Sequence, residues 1–272
     1  MMRGFFRSFR GLERAALFWV LFGVTVFAQR GGAPAPPRSP KDGAPVDLTG
    51  YWVSLVTEDW RWRMVTPLKG DSASVPINAD AKKIMADWDP AKDEAAGNQC
   101  KAYGAAAIMR VPTRLRISWQ DDATLKVETD AGMQTRVLRF PSTRSAPAAV
   151  PPNEPASWQG SSVARWDPGS APIGGGFGLG LGPRQGVRSR SLEVVTTNLK
   201  PGYLRKNGVP YSAKTTVTEY FERFSEPDGN DHLMVMSIVT DPEYLAVPFV
   251  VTSDFKKEAD GAKWDPTPCS AR

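Results

Sequence analysis

Short stretches in which apolar and polar residues alternate recur along most of this chain. One of them places Leu125, Val127 and Thr129 in alternation with Lys126 and Glu128. A period of two is typical of a β-strand that buries one face and leaves the other in water. The strands predicted from such patterns, and from short β-branched and aromatic runs, are 48–57, 60–65, 115–119, 124–129, 134–140, 158–166, 191–197, 215–224, 233–240 and 248–255.

The first two predicted strands are separated by only two residues, so we expect them to pair as a hairpin. In the second strand, alternation places Trp60 and Trp62 on one face and Arg61 and Arg63 on the other.

A helical period occurs at residues 78–88, where Ile84, Met85 and Trp88 fall on one side of the predicted helix. Asn78 is a suitable N-cap, and an Asp-Pro pair after Trp88 ends the helix. One short helix among many short strands predicts a mostly β fold, an antiparallel barrel or sandwich with one short helix.

The N-terminus has the features of an export signal. Four arginines precede an uncharged apolar run at residues 15–27, and the small residue Ala28 follows. This order is typical of a cleaved signal peptide, and the run is shorter than the about 20 residues of a membrane-spanning helix. We therefore predict a signal peptide at 1–28 rather than an uncleaved anchor, a flexible linker at 29–46 and a single β-rich domain at 47–272. The mature protein is then periplasmic or secreted and has no transmembrane segment.

Charge and composition narrow the class of partner. The chain has 34 basic and 29 acidic residues, and without residues 1–28 these fall to 30 and 28. A nearly neutral mature chain argues against nucleic acid as a partner, because nucleic-acid binders concentrate positive charge on one face. With 24 glycines and 24 prolines, the sequence favours turns over long helices.

The two cysteines, Cys100 and Cys269, predict a disulfide, because an even number of cysteines in a chain exported to an oxidising compartment indicates disulfide pairing. A metal site is the alternative, but it needs more ligands than two distant cysteines and the single histidine, His232, supply. We predict neither a metal nor a cofactor. For His232 we expect a position beside a turn rather than a role in acid–base chemistry.

A glycine-rich stretch at 173–183 contains Gly-x-Gly patterns between two prolines. A dinucleotide fingerprint requires a preceding strand, a following helix and a later acidic residue, and no helix follows here. The stretch is therefore predicted to be a mobile loop. The alternative is that Phe177, Leu179 and Leu181 make it a lid over an opening.

Candidate binding residues come from two patterns. Glu219 and Arg223 lie on one face of a predicted strand, where they would form a buried polar pair if that face points inward and an exposed ion pair otherwise. Trp52, Trp60 and Trp62 are either core residues or the lining of a ligand cavity.

Two short segments resemble lipocalin motifs. Gly50-Tyr51-Trp52 is similar to the Gly-x-Trp mark of that family, and Thr240-Asp241-Pro242-Glu243-Tyr244 is similar to its Thr-Asp-x-x-Tyr mark. The resemblance implies an up-and-down barrel with an apolar cavity.

A longer series of segments resembles a group of uncharacterised secreted bacterial proteins and extends over about residues 47–250. The segments are 47–52 (DLTGYW), Cys100 with Pro112, Trp158 with Gly160, Ser162 and Trp166, Glu222-Arg223-Phe224, and Asp241-Pro242 with Tyr244 and Pro248. The stretch 167–189 departs from the group, which has a tight turn there. No activity or catalytic residue can be carried over from this group.

Three functional hypotheses follow. The first is an exported barrel-like protein that binds a small apolar or amphipathic ligand. The second is a small periplasmic hydrolase or isomerase that uses a carboxylate inside the barrel. The third is a structural protein of the envelope.

Overall fold

The computed structural model describes residues 38–142, 153–167 and 191–272 of the 272-residue chain. The predicted signal peptide at 1–28 and the glycine-rich stretch at 173–183 lie outside the described residues. Among the described helices, none is both long enough and apolar enough to span a membrane.

Nine strands of the described residues close into a barrel, and two further strands form a separate hairpin. The predicted mostly β fold is therefore confirmed, in its barrel form. In chain order the strands are β1 Gly50–Leu55, β2 Arg114–Asp121, β3 Thr124–Thr129, β4 Thr135–Arg139, β5 Ser161–Trp166, β6 Leu192–Thr197, β7 Gly202–Arg205, β8 Val209–Tyr211, β9 Thr216–Ser225, β10 Asp231–Thr240 and β11 Phe249–Glu258.

The strands follow the order β1-β11-β10-β9-β6-β5-β4-β3-β2 around the barrel, and β2 closes it against β1. Neighbours are antiparallel except for β4 and β5, which are parallel. The longest pairing joins β9 to β10, from Ser225 opposite Asp231 to Thr216 opposite Thr240. Closure leaves the barrel without an unpaired edge strand.

Three short α-helices lie outside the barrel wall: α1 Trp60–Arg63, α2 Ala79–Asp87 and α3 Pro90–Ala95. Two 3-10 turns follow at Lys101–Tyr103 and Ile108–Arg110. The predicted helix at 78–88 is present as α2, and the Asn78 Oδ1 accepts hydrogen bonds from the backbone N–H groups of Asp80 and Ala81. The Asp-Pro pair that ends α2 also begins α3, with the Asp89 carboxylate as its cap and Pro90 in its first turn.

The predicted N-terminal hairpin is wrong. Both edges of β1 are taken by β2 and β11, so no edge of β1 is open to the next segment. Asp59 adopts a left-handed conformation with φ 52°, and its carbonyl accepts hydrogen bonds from the backbone N–H groups of Trp62 and Arg63. Residues 60–63 therefore form the helical turn α1, and the expected separation of tryptophans and arginines onto two strand faces does not occur.

Alternation along the strands fills the barrel interior with side chains. On β9, Val217, Glu219 and Phe221 are buried, while their neighbours along the strand are partly exposed. Trp52 of β1 is fully buried in the same core, and its Nε1 donates to the carbonyl of Leu48 at 3.0 Å. Side chains thus occupy the space in which a ligand was expected.

A second apolar cluster lies where the β7–β8 hairpin and α2 pack against one end of the barrel. Met85, Leu204, Val209, Tyr211 and Phe249 are buried in this cluster. It fixes β7 against the barrel, and the candidate site described below depends on that placement.

Part of the predicted linker belongs to the packed structure. The backbone N–H of Lys41 donates to the carbonyl of Asp122, and the Trp166 Nε1 donates to the carbonyl of Pro40 at 2.8 Å. Contacts with the barrel therefore begin before residue 47.

The predicted disulfide is confirmed: Cys100 and Cys269 are bridged across a sequence separation of 169 residues. The bridge holds the C-terminal tail beside the first 3-10 turn. In the tail, the backbone N–H of Thr267 donates to the carbonyl of Asp130, and that of Ser270 donates to the Tyr103 hydroxyl.

Candidate functional site

A surface cleft of about 290 Å³ lies between the segment 62–67, the two 3-10 turns and β7. Three arginines line it, Arg63, Arg110 and Arg205, and we call it the arginine cleft. Each of the three is more than nine-tenths buried, at 8, 7 and 6 % exposure respectively. Arginine is rarely buried unless its charge is paired, so three such residues in one cleft mark an unusual local electrostatic environment.

Arg63 enters the cleft from the C-terminal end of α1. Its Nε donates to the carbonyl of Arg110 at 2.9 Å, which connects α1 to the second 3-10 turn. The helical turn that replaces the predicted strand is what brings this side chain inward.

Arg110 is held by the residue that starts α1. Its Nη2 lies 2.5 Å from the Asp59 Oδ2, and its guanidinium carbon is 5.8 Å from the centre of the Phe249 ring. The Asp59 side chain makes no capping hydrogen bond to α1. The carboxylate is used instead to hold Arg110 in place.

Arg205 comes from the end of β7. Its Nη2 donates to the Ser74 hydroxyl at 2.8 Å, and its guanidinium carbon lies 5.0 Å from the centre of the Trp62 ring. In the turn between β7 and β8, the Asn207 Nδ2 donates to the carbonyls of Leu68 and Asp71. These bonds tie the hairpin to the segment that forms the opposite wall of the cleft.

Four guanidinium nitrogens of these arginines are buried and have no hydrogen-bond partner among the described residues. They are Nη1 and Nη2 of Arg63, Nη1 of Arg110 and Nη1 of Arg205. A buried donor without an acceptor costs about 1–3 kcal/mol, and more when the group is charged. The residues that line the cleft therefore carry four guanidinium nitrogens that are unpaired among the described residues.

Mutual repulsion adds to the cost of burial. Desolvation, followed by the positive charge of Arg110, lowers the pKa of Arg63 below its ordinary value. The same two causes lower the pKa of Arg205 to about 10. Nearby carboxylates offset part of this lowering of the pKa: Glu58, Asp254 and Asp59 act on Arg63, and Asp59 and Asp71 act on Arg205. The direct ion pair of Asp59 is with Arg110. The positive charge of the cleft is thus only partly neutralised.

The rest of the lining is mixed. Ala102, Val111 and Leu204 supply apolar surface, while Met64 and Val65 are 59 and 66 % exposed at its outer side. Such a lining suits a ligand with an anionic group and an apolar portion.

Lys206 adds a further cation to the lining. Its Nζ lies 4.8 Å from the centre of the Tyr103 ring and donates to the carbonyl of Arg272. Thr267 also lines the cleft, so the tail held by the disulfide forms part of its wall.

The structure separates the three predicted binding tryptophans. Trp52 is sealed in the core, and Trp60 is 64 % exposed on α1. Trp62 lines the arginine cleft, where its ring lies against Arg205 and its Nε1 donates to the Asp71 Oδ2 at 3.0 Å.

Glu219 points into the barrel, as expected in the alternative of a buried polar pair. Its partner is Arg136 of β4 rather than Arg223. The Arg136 Nη1 and Nη2 donate to the two Glu219 carboxylate oxygens at 3.0 and 2.5 Å, and the side-chain exposures are 1 and 0 %. Nη2 is also 3.3 Å from the Thr196 hydroxyl, which bonds to Ser162 at 2.7 Å. With both oxygens occupied and no exposed surface, this carboxylate is out of reach of a substrate.

Arg223 lies near the end of β9 and belongs to a different ion pair. Its Nη2 is 2.7 Å from the Asp231 Oδ2, and its Nη1 donates to the carbonyl of Asp47. The predicted pair of Glu219 with Arg223 is therefore wrong, because β9 leaves the packed interior between these two residues.

His232 lies at the start of β10, after a turn, with its ring stacked on Phe224 at a centroid distance of 5.4 Å. Within the described ranges, no three histidine, cysteine, aspartate or glutamate side chains are grouped as metal ligands would be.

The arginine cleft was not predicted from the sequence. One signal for it was available: Arg110 interrupts the apolar run Ala105 to Pro112, where a charged residue is unexpected unless it is paired or functional. Arg63 has no comparable signal, since the alternation of Trp60, Arg61, Trp62 and Arg63 predicts an exposed strand face for it, and Arg205 stands beside the polar residues Lys206 and Asn207.

In comparisons with family models, with curated proteins and with solved structures, nothing matched this chain. The resemblances to lipocalins and to the secreted bacterial group therefore stay predictions.

Proposed function

We propose that this protein binds a small amphipathic anion in the arginine cleft, with the anionic group held by Arg63, Arg110 and Arg205. The observation that carries this proposal is the convergence of three buried guanidinium groups, four of whose six terminal nitrogens lack partners among the described residues. Arginine presents its N–H groups in a planar fork that matches carboxylate, sulfate and phosphate oxygens.

The proposal keeps the ligand class predicted from the sequence but moves the site. The barrel interior is filled, whereas the cleft outside it combines unpaired donors with apolar surface. Its volume of about 290 Å³ lies at the lower end for ligand pockets, so a small molecule or the polar end of a larger one would fit. The alternative of a hydrolase acting through Glu219 has no comparable support, because that carboxylate is sealed.

An exported location is part of the proposal. The disulfide between Cys100 and Cys269 supports it, since such bridges form and persist in oxidising compartments.

Titration calorimetry at low ionic strength with inorganic phosphate and octyl phosphate tests the proposed function. We expect both probes to bind, octyl phosphate more tightly because its chain buries apolar surface, and 1-octanol not to bind. Arg205→Met should weaken phosphate binding by about tenfold or more, because a charge-assisted hydrogen bond is lost.

The Arg205→Met variant should remain folded. The folded-state pKa of Arg205 lies below its ordinary value, so its charge opposes folding at neutral pH, and Met retains the apolar stem against Trp62. Arg61→Met is the matched control, because Arg61 also lies over the Trp62 ring, at 5.2 Å, but is 67 % exposed and does not line the cleft. Equal loss of affinity in the two variants, or none in either, would contradict the proposed site.

A further inference from the structure

Exposed apolar side chains are concentrated beside the arginine cleft. Of the nine large apolar residues that are exposed in the described part of the chain, four lie within residues 60–68. We call these four the apolar rim; they are Trp60, Met64, Val65 and Leu68, with exposures of 64, 59, 66 and 82 %. A concentration of exposed apolar surface of this kind marks an interaction site.

The rim is continuous with the cleft. Met64 and Val65 belong to the rim and also line the cleft, so a molecule whose anionic end lies among the arginines would have its apolar end beside the rim. The cleft volume of about 290 Å³ admits a head group more readily than a whole lipid.

Charge indicates which partner covers the rim. Arg61 and Lys69 are exposed on the same segment, and the neighbouring carboxylate of Asp71 already accepts from the Trp62 Nε1 and lies 3.5 Å from Arg61. Behind the segment lie the unpaired arginine donors of the cleft. An apolar partner with a negatively charged surface complements this arrangement, and an anionic bilayer has both properties.

We propose that the apolar rim docks on the surface of a membrane that contains anionic phospholipid, and that a lipid phosphate then occupies the arginine cleft. Trp60 would lie at the level of the head groups, where indole rings are favoured, and Leu68 would reach the acyl boundary. Arg61 and Lys69 would add attraction to the anionic surface. This inference rests on the proposed binding of anions in the cleft.

Cosedimentation of the full chain with vesicles of phosphatidylcholine containing 30 % phosphatidylglycerol, against pure phosphatidylcholine, tests the docking. Because residues 1–28 contain four arginines and an apolar run and can bind anionic vesicles themselves, the comparison is made between variants of the same chain. Trp60→Ser combined with Leu68→Ser should reduce partitioning to the anionic vesicles about tenfold. Both side chains are exposed, so the fold should be retained, and the bond from Asn207 to Leu68 uses the Leu68 backbone carbonyl.

Phe224→Ser is the matched control, since Phe224 is also an exposed aromatic residue, 46 % accessible, but lies at the other end of β9 from the packed hairpin. It should leave partitioning unchanged. Arg205→Met should reduce the preference for anionic over neutral vesicles, and Arg61 and Lys69 should retain the rest of it.

Equal partitioning of the Trp60/Leu68 variant and the unaltered chain would overturn the docking surface. So would a dimer in sedimentation velocity that the same substitutions abolish, because the rim would then be covered by a second copy. Retention of phosphate binding in the Trp60/Leu68 variant separates the two proposals: if phosphate binds and vesicles do not, the membrane inference fails and the anion site stands.

Discussion

Buried arginines are used in two opposite ways in this protein. Arg136 is 1 % exposed and has a bidentate partner in Glu219, so both of its terminal nitrogens are satisfied inside the barrel and only its Nε lacks a partner among the described residues. The arginines of the cleft are buried to a similar degree but retain unpaired terminal nitrogens among the described residues. The first arrangement satisfies a charge inside the barrel, whereas the second supplies the unpaired donors on which the proposed anion site depends.

The interior pair allows a test by double substitution. Glu219→Leu should destabilise the protein by about 3–5 kcal/mol, because Arg136 would remain charged and buried without its partner. The double variant Arg136→Met with Glu219→Leu should lose much less stability, because no uncompensated charge remains in the interior. The measurement is the free energy of unfolding from urea titrations. A loss of stability below about 1 kcal/mol in the single variant would contradict the structure, because it would mean that Arg136 can leave the barrel interior when Glu219 is removed.

At the residue scale, the sequence predicted which side chains share a strand face, but it left open whether that face points inward and did not predict their partners. Alternation along β9 correctly placed Glu219 on the same face as Val217 and Phe221. It could not identify Arg136, which lies on β4 and is separated from Glu219 by 83 residues. Which side chains meet across a barrel depends on the order of the strands around it, and local sequence patterns do not predict that order.

Among the elements, α2 and the strands β2, β3 and β4 were predicted correctly from local signals. α2 carries an N-cap and a helical period, and the β2–β3–β4 meander carries clear turns. The β7–β8 hairpin was missed although its turn contains Asn207-Gly208, a strong hairpin signal. Gly208 is required there, since its φ is +83° and an added Cβ would lie 2.3 Å from the Trp88 ring.

The segment 60–65 illustrates why a local pattern can mislead. Its alternation of apolar and polar residues is typical of a strand, but a strand must pair with a neighbouring strand. Both edges of β1, the expected partner, are already paired with β2 and β11. The left-handed conformation of Asp59 starts a helical turn instead, and its carboxylate then reaches Arg110. The helical turn that forms here in place of the predicted strand is therefore also what brings Arg63 and Arg110 together in the arginine cleft.

The cap of α2 provides a test at the scale of the element. Asn78→Ala should cost about 1 kcal/mol, because two backbone N–H groups of the first turn lose their acceptor. Asn78→Ser should cost less, since serine also caps well, although it loses the Nδ2 donor to the carbonyl of Glu243. Thermal unfolding of both variants measures the difference. Equal losses would show that the bond to Glu243, rather than the cap, is the important contact.

Over the whole molecule, the choice between a barrel and a sandwich could not be made from the sequence. Closure requires β1 to pair with both β2 and β11, and β6 to pair with β9, and these contacts join distant parts of the chain. The disulfide was predictable because only two cysteines are present. The arginine cleft was not, because its arginines come from α1, the second 3-10 turn and β7 and meet only after folding.

Direct observation of an anion in the arginine cleft is the sharpest test of this account. Crystals of the protein soaked in selenate, a dianion with the shape of sulfate, would locate the site through the anomalous scattering of selenium. We expect a peak with oxygens about 2.7–3.2 Å from the terminal nitrogens of Arg63, Arg110 and Arg205. If calorimetry detects anion binding while the selenium peak lies elsewhere and the cleft holds only water, the account is contradicted.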